Sequence, residues 1–185
     1  MVSQEKRFSL ADGRDINVWD NHANQCRDAN REVFTFDSTS GCQGGWLREN
    51  VESYLPPDSK VIDVGCGPGY WRKLFEGMHY TGFDQSSGML KLAAELPAGL
   101  STPPVWVTGN GRRLTDSFDE GQFDMVFTAS VLQHNRNEPD KKEIVKGIHL
   151  ILKKEGYLLC TENTYRKDNC PQSVGNPDFT DGYSM

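Results

Sequence analysis

The sequence predicts an α/β chain whose sheet is mostly parallel, and three observations predict it. Residues 61–70 read VIDVGCGPGY, a β-branched run that breaks into glycines. Strand-like runs recur in the segments 79–90, 104–110, 123–135 and 156–163. Between the last two, from about Lys141 to Lys153, Ile144, Val145, Ile148 and Ile151/Leu152 repeat at helical spacing. Parallel strands need crossovers of this kind, because a hairpin cannot join them.

Each element has its own local reason. Val61, Ile62 and Val64 suit a strand packed on both faces. Gly65, Gly67 and Gly69 permit a tight bend and let main-chain atoms come close to a ligand. Asp63 sits on this apolar strand without a packing reason, so a polar partner is expected nearby. The fifteen residues from Gly69 to Asp84 leave room for one helix, with Trp71 to Gly77 as its expected span. Ser86 or Ser87 is the natural N-cap of the next helix. PVWVTGN (104–110) reads as a third strand ending at Gly109-Asn110-Gly111, and FDMVFTASVLQHN (123–135) as a fourth with its exit into a helix. Gly156 punctuates the long helix before the fifth strand, GYLLCTEN (156–163). Upstream, residues 20–33 carry a weak helical pattern, and Trp46 to Leu55 reads as a helix feeding the glycine run.

Composition narrows the function. A chain of 185 residues has a typical one-domain length. Its formal charge is −6, and no basic block exceeds two residues, as in Arg112-Arg113 and Lys153-Lys154. Nucleic-acid binding needs denser positive charge, so it is not expected. Apolar runs of only four or five residues predict no membrane span, and MVSQEKRFSL has no apolar leader. Five cysteines without a C-x-x-C pair point to neither a metal site nor a disulfide scaffold, and a cytoplasmic address is expected. A dinucleotide fingerprint requires G-x-G-x-x-G, but the third glycine here falls at Gly69 and position 70 is Tyr. No Gly-Lys-Ser/Thr follows, so a Walker A loop is excluded too.

Asp63-x-Gly65-x-Gly67-x-Gly69, with Asp84 at the end of the next strand, resembles motif I and the following acid of the class I S-adenosylmethionine (SAM) dependent methyltransferases. The resemblance covers about residues 40–165. It implies a Rossmann-like three-layer α/β sandwich carrying strands 1–5 of that fold, with the glycine loop under the amino-acid part of SAM. The cofactor residues it implies are Asp63, Gly65, Cys66, Gly67, Gly69, Asp84, Gln85, Met89, Asn110, Gly111, Ala129 and Trp46. Asp84 either accepts the two ribose hydroxyls or merely leads into a helix. Met89 or Leu90 covers an adenine face. Asn110 reads the adenine amine, or is half of an Asn-Gly turn. Val131-Leu132-Gln133-His134 resembles the segment after which many small-molecule members hold the methyl acceptor. His134 is the candidate base there, against a capping or packing role. Asn135, Glu162 and Asn163 are candidate acceptor contacts, and Trp19, Trp46 and Tyr54 either lid the pocket or pack on the sheet edge.

The expected organisation is one domain: an arm with lid helices (1–55), the SAM-binding core (56–165) and an irregular tail (166–185). The tail is a departure, since twenty-two polar, Gly- and Pro-containing residues follow Asn163 and supply no final hairpin. The sequence is thus a piece of a longer protein or a minimal member. An open fifth-strand edge is an aggregation liability, so a homo-oligomer covering that edge is expected. The function expected is methyl transfer from SAM to a small-molecule acceptor. The place after the fourth strand reads Thr128-Ala129-Ser130, without the Asn/Asp-Pro-Pro-Tyr of base amino-methyltransferases. The alternative is a SAM-binding module without turnover that serves a partner. A third reading has a protein N-terminus as acceptor, met by Asp178 and Asp181.

Overall fold

The computed structural model describes residues 19–21, 23–24, 41–95, 99–135 and 137–162. Helix α1 (Gly41–Tyr54) leads into β1 (Lys60–Val64), a 3-10 turn (Arg72–Phe75) and β2 (His79–Asp84). Then come α2 (Ser87–Glu95), β3 (Val105–Thr108), a 3-10 helix (Gly111–Asp116) and β4 (Phe123–Ala129). A 3-10 turn (Leu132–His134), α3 (Glu138–Ile151) and β5 (Leu152–Thr161) complete the order. The sheet runs β3-β2-β1-β4-β5 and every pairing is parallel. This is the α/β architecture the sequence predicts.

β1 lies at the centre, and its alternating side chains separate two cores. Val61 faces Leu47 and Val51 from α1 and Leu55 just after it, together with Phe75, Tyr80 and Phe127. Ile62 and Val64 face the other way, into Phe83, Leu114, Val126 and α3's Ile144, Ile148 and Ile151. Ile144, Ile148 and Ile151 are the buried part of the repeat read in the sequence, whereas Val145 is 44% exposed and Leu152 and Lys153 already belong to β5. The start of α3 is earlier than expected because Pro139 is tolerated in a first turn, where Glu138 and Asp140 also suit the helix dipole.

Two local expectations need correction. Trp71 to Gly77 contains only one 3-10 turn, not a full helix. Pairing of Lys60 with His79 leaves residues 65–78 for the entire crossover, and left-handed glycines at 69 and 77 bracket what remains. Gly156 is not a left-handed helix cap either. α3 ends on Leu152 in an extended conformation, and Leu152 already pairs with Phe123. The register then shifts until Tyr157 pairs with Met125. A Cβ at Gly156 would lie 3.0 Å from the Lys153 carbonyl oxygen and 3.1 Å from that of Asp124, so close backbone approach is what requires glycine here.

β5 is the outer strand, and Tyr157 and Leu158 on it are 43% and 45% exposed. No helix among the described residues is long and apolar enough to cross a membrane. His22, Asn163, Asp178, Asp181 and the expected tail lie outside the described residues, as does most of the 20–33 segment.

Candidate active site

The carboxyl ends of β1, β2 and β4 open into one cavity of about 490 Å³. Parallel sheets place ligands at this end, where the loops of neighbouring strands diverge. The floor is the glycine turn. Gly65 and Cys66 both donate their N–H to the Phe83 carbonyl, at 2.7 and 3.1 Å, which seats the turn on β2. Gly67 has φ +53, and a Cβ placed on it would meet nothing within 4 Å. Its backbone therefore faces open cavity. The other two glycines answer to protein neighbours: Val131 Cγ2 lies 2.3 Å from the Cβ site of Gly65, and Trp106 Cη2 lies 2.9 Å from that of Gly69.

Asp84 closes the tip of β2. One carboxylate oxygen accepts the Gly67 N–H and the other the Ser86 N–H, each at 2.8 Å. Burial pushes its carboxyl pKa up, while the N–H groups of Ser86, Gly67 and Gln85 pull it down. The acid and the glycine turn are thus one hydrogen-bonded unit. Asp63 lies beneath, 1% exposed, and Tyr80 donates its O–H to it at 2.9 Å. This is the polar partner the sequence called for. Burial raises the Asp63 pKa to about 7, against the pull of Tyr80 and with a further push from Asp84. Burial first, then Asp63 and Asp84, push the Cys66 thiol well above its ordinary value, so it behaves as a small apolar group.

Further side chains shape the walls. Ser86 caps α2, its Oγ accepting the Met89 N–H at 3.1 Å and donating to Asp20 Oδ1 at 2.5 Å. Asp20 also takes the Gly88 N–H at 2.9 Å, which docks the helical residues 19–21 and 23–24 beside α2. Trp19 of this segment lines the cavity and meets His134 edge-on, ring centroids 5.2 Å apart. Asn110 Oδ1 accepts from Arg112 N at 3.0 Å and Arg112 Nε at 3.4 Å, while Arg112 pairs with Asp140 at 3.2 Å.

Of the residues expected from sequence, Gly65, Cys66, Gly67, Asp84, Gln85, Met89, Asn110, Gly111, Ala129 and His134 all line the cavity, with Asn135 beside them. Asp63 and Gly69 stand behind it. Trp46 does not reach it: it is 53% exposed on α1, whose apolar side is taken by Leu47 and Val51. Tyr54 is likewise exposed, packed on Tyr157 with centroids 4.9 Å apart. Trp19 is thus the described aromatic of the three that borders the cavity. Glu162 turns its carboxylate to the backbone of residues 131–133. Asp20, Tyr70 and Trp71 were given no part in the site by sequence pattern, and Val131 was marked only as part of the segment before the acceptor, since their roles arise from contacts distant in the chain.

The model of the methyltransferase domain family matches residues 62–160. The 2-methyl-6-phytyl-1,4-hydroquinone methyltransferase of Synechocystis is 32% identical over 120 residues, 62% of this chain and 35% of that protein. A tRNA U34 carboxymethyltransferase of Shewanella woodyi is 31% identical over 154 residues, 67% of this chain and 42% of that protein. The Haemonchus contortus phosphoethanolamine N-methyltransferase 1, solved with phosphoethanolamine and S-adenosylhomocysteine, aligns with TM-score 0.58 at 19% identity, over 80% of this chain and 32% of that one. That last likeness is one of fold. The chain belongs to the methyltransferase domain family, within the class I SAM-dependent methyltransferases. It spans well under half the length of the two curated relatives.

The residues present fit the family's cofactor. The cavity offers a bare glycine backbone at Gly67, a carboxylate that retains acceptor capacity at Asp84 and an apolar wall at Met89. An amino acid, a ribose and a purine call for these three surfaces in turn.

Proposed function

We propose that this chain transfers a methyl group from SAM to a small-molecule acceptor held beside His134. The observation that carries the reading is the Gly67–Asp84 unit facing open cavity. Bound SAM supplies a methyl already activated on a sulfonium, so the protein's task is chiefly orientation. Asp84 holds ribose hydroxyls with the lone pairs that Gly67 and Ser86 leave. Met89 and Asn110 bound the nucleobase, and the 65–67 backbone supports the amino-acid end. Tyr70, Trp71 and Trp19 narrow the remaining mouth and exclude water. His134 accepts the acceptor's proton where attack requires its loss.

The small-molecule class is supported by the hydroquinone relative and by the net charge of −6, which disfavours a polyanionic substrate. The tRNA-modifying relative defines the competing acceptor. A second reading, a binding module that works with a partner, draws on exposed Tyr157 and Leu158 along β5. Pairing of that edge with a second copy remains part of the proposal, and a monomer in light scattering would remove it.

Calorimetric titration with SAM and S-adenosylhomocysteine, on the wild type and on Asp84→Asn, tests the cofactor assignment. Binding that weakens at least tenfold in the variant is expected, and a wild-type chain that binds neither compound ends the proposal. Turnover assays against pooled small metabolites and bulk tRNA separate the acceptor classes.

A further inference from the structure

We propose that Glu162 is a positioning residue for the acceptor side of this cavity, acting through Val131 and His134. The inference rests on the methyltransferase reading and deepens it. Glu162 Oε1 accepts the N–H groups of Val131 and Leu132, and Oε2 accepts that of Gln133, all at 3.0 Å. One carboxylate thus satisfies three successive amides at the start of the Leu132–His134 turn, whose N-cap residue Val131 supplies no side-chain cap, while Asn135 Nδ2 donates to the Val131 carbonyl at 3.0 Å from the other end. Hydrogen bonds to an ionised acceptor are the strong class, so the arrangement is stiff as well as specific.

The turn needs an external anchor because its entry is unfavourable. Ser130 adopts φ +58, a conformation that costs a residue with a Cβ energy and persists only where its surroundings hold it. β5 provides two adjacent ties: the Thr161 carbonyl accepts the Ser130 N–H at 2.8 Å, and Glu162 follows at once. The turn delivers two functional contacts. Val131 is pressed onto Gly65 of the glycine turn, and His134 is set against Trp19. The Glu162 carboxylate therefore fixes the cofactor loop and the candidate base relative to each other, without touching either ligand.

The test begins on the unmutated chain by NMR. Scalar couplings across hydrogen bonds, from the amide nitrogens of residues 131–133 to the Glu162 carboxylate carbon, are expected. Their absence overturns the proposal and needs no variant. Glu162→Gln, nearly isosteric, is then expected to shift those amide protons upfield and move the His134 ring signals. It should also weaken S-adenosylhomocysteine roughly tenfold, by more than the accompanying fall in thermal midpoint accounts for. In Glu162→Gly, added formate should restore part of the amide shifts and of the affinity, a rescue that a general loss of packing would not allow. Wild-type affinity and wild-type amide shifts in Glu162→Gln overturn the inference. A wild-type chain that fails to bind S-adenosylhomocysteine instead defeats the underlying methyltransferase reading, and the amide couplings still judge the carboxylate's contact.

Discussion

Val131 occupies the space beside Gly65 that a side chain at that position would need. Its Cγ2 lies 2.3 Å from the ideal Cβ site, far inside van der Waals contact. The first glycine of the turn is therefore required by a residue from the β4 exit, and the cofactor loop and acceptor loop are packed as one piece. Gly65→Ala is expected to cost about 2 kcal/mol or more, from the clash and from φ +77 together. Val131→Ala should relieve the steric share and leave the backbone share, so the two substitutions together cost less than their sum. Urea denaturation of the four proteins checks this, and strict additivity would show that the contact carries no energy.

Gly67→Ala should behave differently. Its added methyl meets nothing within 4 Å, so only the left-handed backbone is penalised, by about 1 kcal/mol. The methyl projects toward the cavity, however, and S-adenosylhomocysteine affinity should fall by more than the stability change accounts for. Comparing calorimetric Kd with urea midpoint separates the two. An alanine that leaves binding unchanged would place the cofactor elsewhere.

This contrast shows what sequence reading reached. Gly65, Gly67 and Gly69 were legible as a turn because no Cβ-bearing residue suits three successive bends, and Asp84 was legible from its distance to them. Which neighbour each glycine serves was not, because Val131 arrives from the β4 exit and Trp106 from β3. Trp46 was a plausible lid by residue type, but the aromatic ring alone does not say which face of α1 it occupies. The short first crossover escaped for a related reason. Arg72 to Phe75 has helical composition, and the β1–β2 register, a long-range property, denies it length.

Asp63 makes stability depend on pH. Its folded pKa is about 7 against an ordinary 3.8, so the native chain binds this proton more tightly than the unfolded chain does. The resulting stabilisation is complete below the ordinary value and is lost as pH rises through about 7. Its full size is about 4 kcal/mol as an upper figure. Asp63→Asn keeps the shape without the titration, so its stability should vary less between about pH 5 and 8 than the wild type's. Tyr80→Phe removes the bond that lowers this pKa and should extend the dependence to higher pH. Parallel urea profiles for wild type and Asp63→Asn would contradict the assignment.

Asn110 offers a specificity test. Arg112 N and Nε both approach its Oδ1, so the amide N–H₂ is the group left for a nucleobase. A donor suits the ring N1 of adenine, and also the O6 of hypoxanthine. Asn110→Asp keeps the acceptor for Arg112 and replaces that donor with an oxygen. Hypoxanthine carries a proton on N1 where adenine has a lone pair, so the Kd ratio of S-inosyl- to S-adenosylhomocysteine should fall several-fold in the variant, measured by competition. An unchanged ratio would mean that Asn110 serves only as the N-cap of the Gly111–Asp116 helix.

Asp20 fastens the segment that brings Trp19 to the cavity. Its Oδ1 takes both the Ser86 hydroxyl and the Gly88 N–H at the start of α2, where a carboxylate also complements the helix dipole. Ala23 packs beside it against Met89 and Leu92, so one polar tie and a small apolar contact hold the described part of the segment. Asp20→Ala should cost about 1 kcal/mol in stability, the usual worth of a cap. The larger effect should fall on the site, because Trp19 faces His134 only while the segment is docked. The His134 ring protons, shifted by the indole in the docked state, should move toward ordinary positions, and S-adenosylhomocysteine should dissociate faster. Asp20→Asn retains an acceptor for Gly88 and should lie between the two. Unshifted His134 signals in Asp20→Ala would show that apolar packing alone holds the segment in place.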